Sequence, residues 1–293
     1  MSIKRALCLS GGGARGSYQV GAIKALTESG RQWHSVHGIS AGSLNAAWIS
    51  MFSPDQQKTN IDGLVDVWQS IKSSDDIYKK WSKIKPINYL YSMWKGSLHS
   101  GAPLRKLLGE FFKKENIAIP LTVGCVNLHT SEYHSISNQD ENISEYILAS
   151  CHLPLVFEPI VINGQKWVDG GIRHQIPILD ALKTRPDEID IILASPISIR
   201  DRLTEEYDLR SAPKIALRAS EIMSDQIYLQ DCYTALRAIK TAPDIKINLF
   251  VPSVLLIQDS LNFIPEQISK NIELGYNETK KKLIDISDIL REE

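Results

Sequence analysis

Two successive strand–glycine–helix units fill the first fifty residues, and they constrain the fold more than any other feature of the chain. Residues 5–10, Arg-Ala-Leu-Cys-Leu-Ser, form a short apolar run without helical spacing, which predicts a buried strand. The run ends at Gly11-Gly12-Gly13-Ala14-Arg15-Gly16. Residues 17–29 then carry Val20, Ile23, Ala25 and Leu26 on one side and stop at Gly30, the pattern of an amphipathic helix with a glycine end. The second unit repeats the plan. Residues 33–37 suit a short strand, Gly38-Ile39-Ser40-Ala41-Gly42 makes the turn, and residues 43–49 begin a helix of small residues.

Gly38 to Gly42 fits G-x-S-x-G, in which a serine sits on a sharp strand-to-helix turn. Such a turn holds Ser40 in strained backbone geometry. Gly38 and Gly42 must then lack side chains, because strand and helix approach closely there. The Ser40 hydroxyl falls at a helix N-terminus, whose dipole favours developing negative charge. Alone, the five residues would also suit a Gly/Ser turn; the strand and helix around them favour a nucleophile.

Gly11, Gly13 and Gly16 also satisfy the dinucleotide-binding spacing G-x-G-x-x-G. A Rossmann module wants an acidic residue near the end of its second strand. No acid lies between Glu28 and Asp55, so the pattern fails where the cofactor would be selected. The other use of such a loop is an oxyanion hole, since glycine N–H groups can approach an anionic intermediate without a Cβ in the way. The amides of Gly12 and Gly13 are the expected donors, with Ala41 as a third. Arg15 either anchors the loop, contacts an anionic head group, or is a solvated residue at a helix start.

A serine needs a base. Residues 161–168 read as a hairpin around the two-residue turn Asn163-Gly164. Asp169 leaves its second strand, and Gly170 and Gly171 let the backbone turn. A carboxylate fixed there could take the Ser40 proton directly. Two alternatives stand beside this one: an Asp-Gly-Gly turn without chemistry, and a triad completed by His174, the one histidine after Asp169.

With these residues in place the chain resembles the patatin-like phospholipase family. The resemblance rests on Gly-Gly-Gly-x-Arg-Gly at 11–16, Gly-x-Ser-x-Gly at 38–42 and Asp-Gly-Gly at 169–171. It is extended by Ala149, Ser150, Pro154, Phe157 and Pro159, and by a last helix over residues 263–283. It covers nearly the whole chain. It implies a three-layer α/β/α fold with a central, mostly parallel sheet, in one domain spanning 1–293. It also implies a Ser40–Asp169 dyad, an oxyanion hole in the first loop, and hydrolysis of phospholipid or lysophospholipid acyl esters without metal or cofactor. Acyl transfer to another acceptor is a related reading.

The length suits one large α/β domain with a substantial core. Net charge is −1, so bulk electrostatics favours no nucleic-acid partner. The four cysteines lack metal spacing and read as free buried thiols in a reducing compartment. The N-terminal apolar run is too short for a signal peptide, and no stretch of about 18 apolar residues suggests a membrane span. The expectation is a cytoplasmic protein, peripheral at membranes, with signal-independent export still compatible. Oligomeric state is not legible. Further strands are expected over 117–128, 189–194 and 245–251, a helix over 214–238 after Pro213, and a charged surface loop over 200–211.

Residues 77–109 contain no acid. Lys79, Lys80, Lys83, Lys85, Lys95, Arg105 and Lys106 are interleaved with Trp81, Tyr89, Tyr91, Trp94 and several aliphatic residues. Basic groups favour anionic lipid, and Trp and Tyr favour the interfacial layer. The segment therefore reads as a lid or membrane-docking surface. The competing expectation is a helical cap whose aromatics pack on the core and whose lysines are solvated.

Overall fold

The computed structural model describes residues 3–197, 210–241, 244–256 and 259–289. Both opening units form as expected. β1 (Arg5–Leu9) passes through the glycine loop into α1 (Gly16–Glu28), and β2 (Ser35–Gly38) turns into α2 (Ala41–Ser50). After α3 (Gln57–Ser70) the chain makes an excursion through β3 (Lys79–Lys80), α4 (Lys85–Lys95), β4 (Ser97–Ser100) and α5 (Ala102–Phe111). The excursion closes on itself at its base, where the Leu104 amide donates to the Ile77 carbonyl at 3.1 Å.

β5 (Leu121–Asn127) begins later than the apolar run from 117 suggests. The amides of Ala118 and Ile119 donate to the Ser50 carbonyl at 2.8 and 3.1 Å, so this stretch caps the end of α2 instead of joining the sheet. Pro120, which lacks an N–H, then leads into the strand. β6 (Tyr133–Ser137), α6 (Ile143–Ser150), β7 (Leu155–Phe157), β8 (Ile160–Ile162) and β9 (Gln165–Asp169) follow. The expected hairpin is β8–β9. Its turn residues have φ of 51° at Asn163 and 74° at Gly164, as a type I′ turn requires. α7 (Ile178–Lys183), β10 (Glu188–Ile192), α8 (Ala212–Thr241), β11 (Lys246–Phe250) and α9 (Pro265–Ile289) complete the chain. Most of the charged stretch 200–211 lies outside the described residues.

The main sheet runs β11-β10-β1-β2-β5-β9-β8, with β6 also on β5. β11, β10, β1, β2 and β5 are parallel to their neighbours, and β6, β8 and β9 join antiparallel. Alternation along β1 separates the two faces. Leu7 and Leu9 pack with residues of α1, α2, α3 and α9, whereas Ala6 and Cys8 pack with α7 and α8. Helices thus cover both faces of a mostly parallel sheet, the three-layer arrangement anticipated. A smaller sheet, β3-β4-β7, stands apart and carries the excursion. All four cysteines are buried and none forms a disulfide. No helix among the described residues is long and apolar enough to cross a membrane.

One strand arranges the rest. β6 occupies one edge of β5, and the other edge is shared. Val36 to Gly38 of β2 pair with Leu121 to Val123, and Trp167 to Asp169 of β9 pair with Asn127 to Cys125. β2 and β9 therefore run toward each other along the same edge and both stop at Gly124.

Candidate active site

Ser40 lies just beyond the end of β2, and Asp169 is the last residue of β9. Their meeting follows from register: Gly38 pairs with Val123 and Asp169 with Cys125, either side of Gly124. Ser150 of α6 fastens the junction. Its hydroxyl accepts the Ser40 N–H at 3.0 Å and donates to the Gly124 carbonyl at 2.8 Å.

Ser40 precedes α2 with φ 55° and ψ −130°, a conformation that L-residues rarely adopt. The flanking glycines make it sterically attainable. A Cβ on Gly38 would stand 2.3 Å from the Gly42 carbonyl oxygen, and one on Gly42 would stand 2.5 Å from the Leu9 carbonyl oxygen. Both obstacles are backbone and cannot swing aside. The Cys151 thiol and the Ser43 hydroxyl donate to the Ser40 carbonyl at 3.1 and 2.6 Å. The strained residue is thus held from several directions, the condition under which such strain persists.

Asp169 is 3% exposed. Burial pushes its carboxyl up to about 7, against the opposing pull of the Gly171 amide and of the Ser40 hydroxyl that faces it. The Gly171 N–H donates to Oδ1 at 2.8 Å, which fixes the carboxylate on the turn that the two glycines make. A carboxyl balanced near neutrality and facing a hydroxyl can both receive and return a proton.

The glycine loop stands against the serine: a Cβ on Gly11 would lie 3.3 Å from the Ser40 Cβ. The Gly11 amide donates to the Gln175 carbonyl at 3.0 Å and the Ala14 amide to the Ser260 carbonyl at 2.8 Å, so both ends of the loop are tied. Between them, the amides of Gly12 and Gly13, like that of Ala41, donate to no acceptor among the described residues. Gly13 has φ 55°, which turns the chain at this point. Gly16 closes the loop against Ala41 and Trp68. Arg15 donates from Nη1 to the Ser195 hydroxyl at 3.1 Å, so it anchors the loop.

Gly11, Gly12, Gly13, Arg15, Ser40 and Asp169 all line one polar pocket. Gly13 and Cys151 also line a second, apolar cavity, walled by Leu44, Trp68, Phe111, Phe157 and Phe263 among others. The serine therefore stands between a polar compartment and an apolar one. His174 is turned elsewhere. Its Nδ1 lies 3.2 Å from Asp231 Oδ1, and its ring packs edge-on to Tyr133. Among the described residues no group of three or more His, Cys, Asp or Glu side chains could hold a metal ion.

Several supporting residues carry no motif. Ser150 was visible only as part of a larger block. Asp231 of α8 accepts from the backbone amides of Gln175 and Ile176 and so supports the loop after Gly171. Asn45 accepts the Trp68 indole N–H at 2.8 Å and donates to Gln19 and the Gly16 carbonyl at 3.0 Å each, joining the cavity wall to the glycine loop.

A family model described as patatin-like phospholipase matches residues 7–182. An uncharacterized Bacillus subtilis protein, YqhO, is 24% identical over 236 residues, covering 74% of this chain and 79% of that protein. The mouse 1-acylglycerol-3-phosphate O-acyltransferase Pnpla3 is 26% identical over 186 residues, covering 61% of this chain and 42% of its own length. Among solved structures, human GIVD cytosolic phospholipase A2 resembles 99% of this chain with TM-score 0.53 and 12% identity, over 60% of the human chain. The last likeness is one of fold.

Proposed function

The chain belongs to the patatin-like phospholipase family, and on that premise we propose that it is a serine lipid acyl hydrolase of the phospholipase A or lysophospholipase type. The observation that carries the reading is the Ser40 hydroxyl facing the buried Asp169 carboxyl at the polar–apolar boundary. The acyl chain of the ester occupies the apolar cavity, and the glycerophosphate side occupies the polar pocket near Arg15.

Ser40 Oγ attacks the ester carbonyl carbon while its proton passes to Asp169. The amides of Gly12, Gly13 and Ala41 hold the resulting oxyanion. Collapse of the tetrahedral intermediate breaks the ester C–O bond, and Asp169 gives its proton to the departing alcohol. Water then attacks the acyl-enzyme, Asp169 takes the water's proton, and that proton returns to Ser40 as the fatty acid leaves. His174, committed to Asp231, has no part in these steps.

Incubation with mixed phospholipids, followed by mass spectrometry, tests the reading. The expected products are free fatty acids and lysolipids, with a fluorophosphonate probe attached at Ser40. Intact lipids and an unlabelled serine would overturn it. The acyltransferase name of the mouse relative supports a second reading, in which an acceptor alcohol replaces water. Adding a 1-acylglycerol-3-phosphate acceptor decides between them: a diacyl product in place of free fatty acid marks transfer.

A further inference from the structure

α4 faces the wrong way for a helix that stabilises a globule. Ile84 at its N-cap and Ile87, Leu90, Tyr91 and Trp94 along it recur at the spacing of one helical face. That face is turned to solvent: Leu90 is 65% exposed and Trp94 77%, with Met93 beside them at 68%. Two of its polar residues point inward. Asn88 and Ser92, four residues apart, line the groove between α4 and the small sheet. Asn88 accepts the Ser82 N–H at 3.1 Å, and the Ser92 hydroxyl donates to the Asn88 carbonyl at 2.9 Å. Tyr91 and Trp94 are therefore not packed as a cap on the core.

The surroundings indicate what covers this face. Arg105 pairs with Glu145 and Lys106 lies near Glu110, but no carboxylate among the described residues pairs with Lys79, Lys80, Lys83 or Lys95. These four are exposed, and Lys80 and Lys83 stand at the groove between α4 and the small sheet. Lys95 stands 4.7 Å over the Trp94 ring, and Tyr91 meets Trp94 edge-on. An exposed apolar face with Trp and Tyr, on an excursion that carries unpaired exposed lysines and no acid, matches the layered chemistry of an anionic bilayer surface. It does not match a second copy of itself, since two such lysine-bearing excursions would repel. The excursion also stands beside the cavity, for Ile77 and Leu104 at its joined base both line the apolar wall.

We propose that α4 docks the protein on anionic phospholipid bilayers, its Ile87–Leu90–Tyr91–Trp94 face entering the interface and Lys79, Lys80, Lys83 and Lys95 meeting the head groups. The proposal rests on the lipid-hydrolase reading for its purpose, though not for its test. Docking there presents the cavity wall at Ile77 and Leu104 to the surface from which substrate must be drawn.

The test is sedimentation of the full chain with vesicles of ether-linked phosphatidylcholine, alone or in equal parts with ether-linked phosphatidylglycerol. Ether lipids resist ester hydrolysis, so binding is read apart from activity. The expected result is binding that needs phosphatidylglycerol, a blue shift of tryptophan emission, and weakening at about 1 M salt. The double variant Leu90→Ser with Trp94→Ser should lose about tenfold or more in binding, as should Lys79→Glu, Lys80→Glu and Lys83→Glu together. Both variants should keep the wild-type melting temperature. Wild-type vesicle binding by the double variant would overturn the proposal. So would a wild-type dimer in sedimentation equilibrium that the double variant abolishes, because the face would then be a contact between copies. Hydrolysis of a soluble short-chain ester is measured separately: its absence in the wild type counts against the hydrolase reading and leaves the binding result standing.

Discussion

Between Arg5 and Ser50 the apolar side chains turn inward, with Leu7, Leu9, Ile23, Leu26, Ile39 and Ile49 at most 1% exposed. On α4 the same kinds of residue turn outward, and Leu90, Met93 and Trp94 are each more than half exposed. Burying one such side chain contributes about 1.5–3 kcal/mol. The first region uses that stabilisation to hold Ser40 in a backbone conformation that costs about 1–3 kcal/mol. The second region leaves it unrealised until another surface covers the helix. The proposed chemistry thus sits where the chain has over-determined its own shape, and the proposed docking where it has left apolar area uncovered.

If the two regions are separable, their variants should fail in opposite ways. Ser40→Ala should lower ester hydrolysis by about 10⁴-fold or more while vesicle binding stays unchanged. The α4 double variant should lose vesicle binding and keep the soluble-ester rate. A variant in either region that moved both readouts would break the comparison.

Asp169→Asn sharpens it, because its effects on activity and stability have opposite signs. Hydrolysis should fall nearly as far as in Ser40→Ala, since the amide keeps the shape and cannot accept a proton. The folded carboxyl sits near pH 7 instead of its ordinary 3.8. Across that interval the folded protein holds a proton that the unfolded chain has released. Wild-type stability therefore falls as pH rises from about 4 to about 7, by up to about 4 kcal/mol. The asparagine variant escapes this loss. Its melting temperature should exceed the wild type's at pH 8, and the gap should shrink toward pH 4. Activity should follow the same group, declining about tenfold per pH unit well below 7 because the base is protonated there. A pH-independent gap, or an acid limb centred far from 7, would remove Asp169 from this role.

Two glycine substitutions probe the contrast in packing. Gly42→Ala must push a methyl group into the Leu9 and Ser10 carbonyls, at 2.5 and 2.6 Å. Denaturant unfolding should show a loss of about 3 kcal/mol, the upper end of overpacking. Gly109→Ala on α5 meets nothing within 4 Å. It should stabilise by up to about 1 kcal/mol, the helix propensity difference.

Much of this was legible in the sequence, and the reason is locality. The elbow, the glycine loop and the hairpin turn each depend on residues within five or six positions, where spacing alone fixes geometry. The start of β5 was misplaced because Ser50, far away in the chain, competes for the amides of Ala118 and Ile119. Ser150, Asp231 and Asn45 could not be singled out, since their partners lie on other elements and leave no periodic trace. For α4 the periodicity was present, but a stripe does not say whether it faces the core or the solvent. Its polar residues, Asn88 and Ser92, turned out to face the protein.

The shared edge of β5 has a consequence in time. Asp169 reaches Ser40 only when β9 pairs in one register, because a slip of one residue would turn its side chain to the other face. That pairing joins a strand made late to one made early, the kind of non-local contact that forms slowly. A ribosome releases Ser40 long before it has made Asp169, so on the proposed mechanism the half-made chain holds the nucleophile without its base. On that mechanism, activity comes only with the pairing of β9 on β5, and no fragment that ends before Asp169 should cleave lipid.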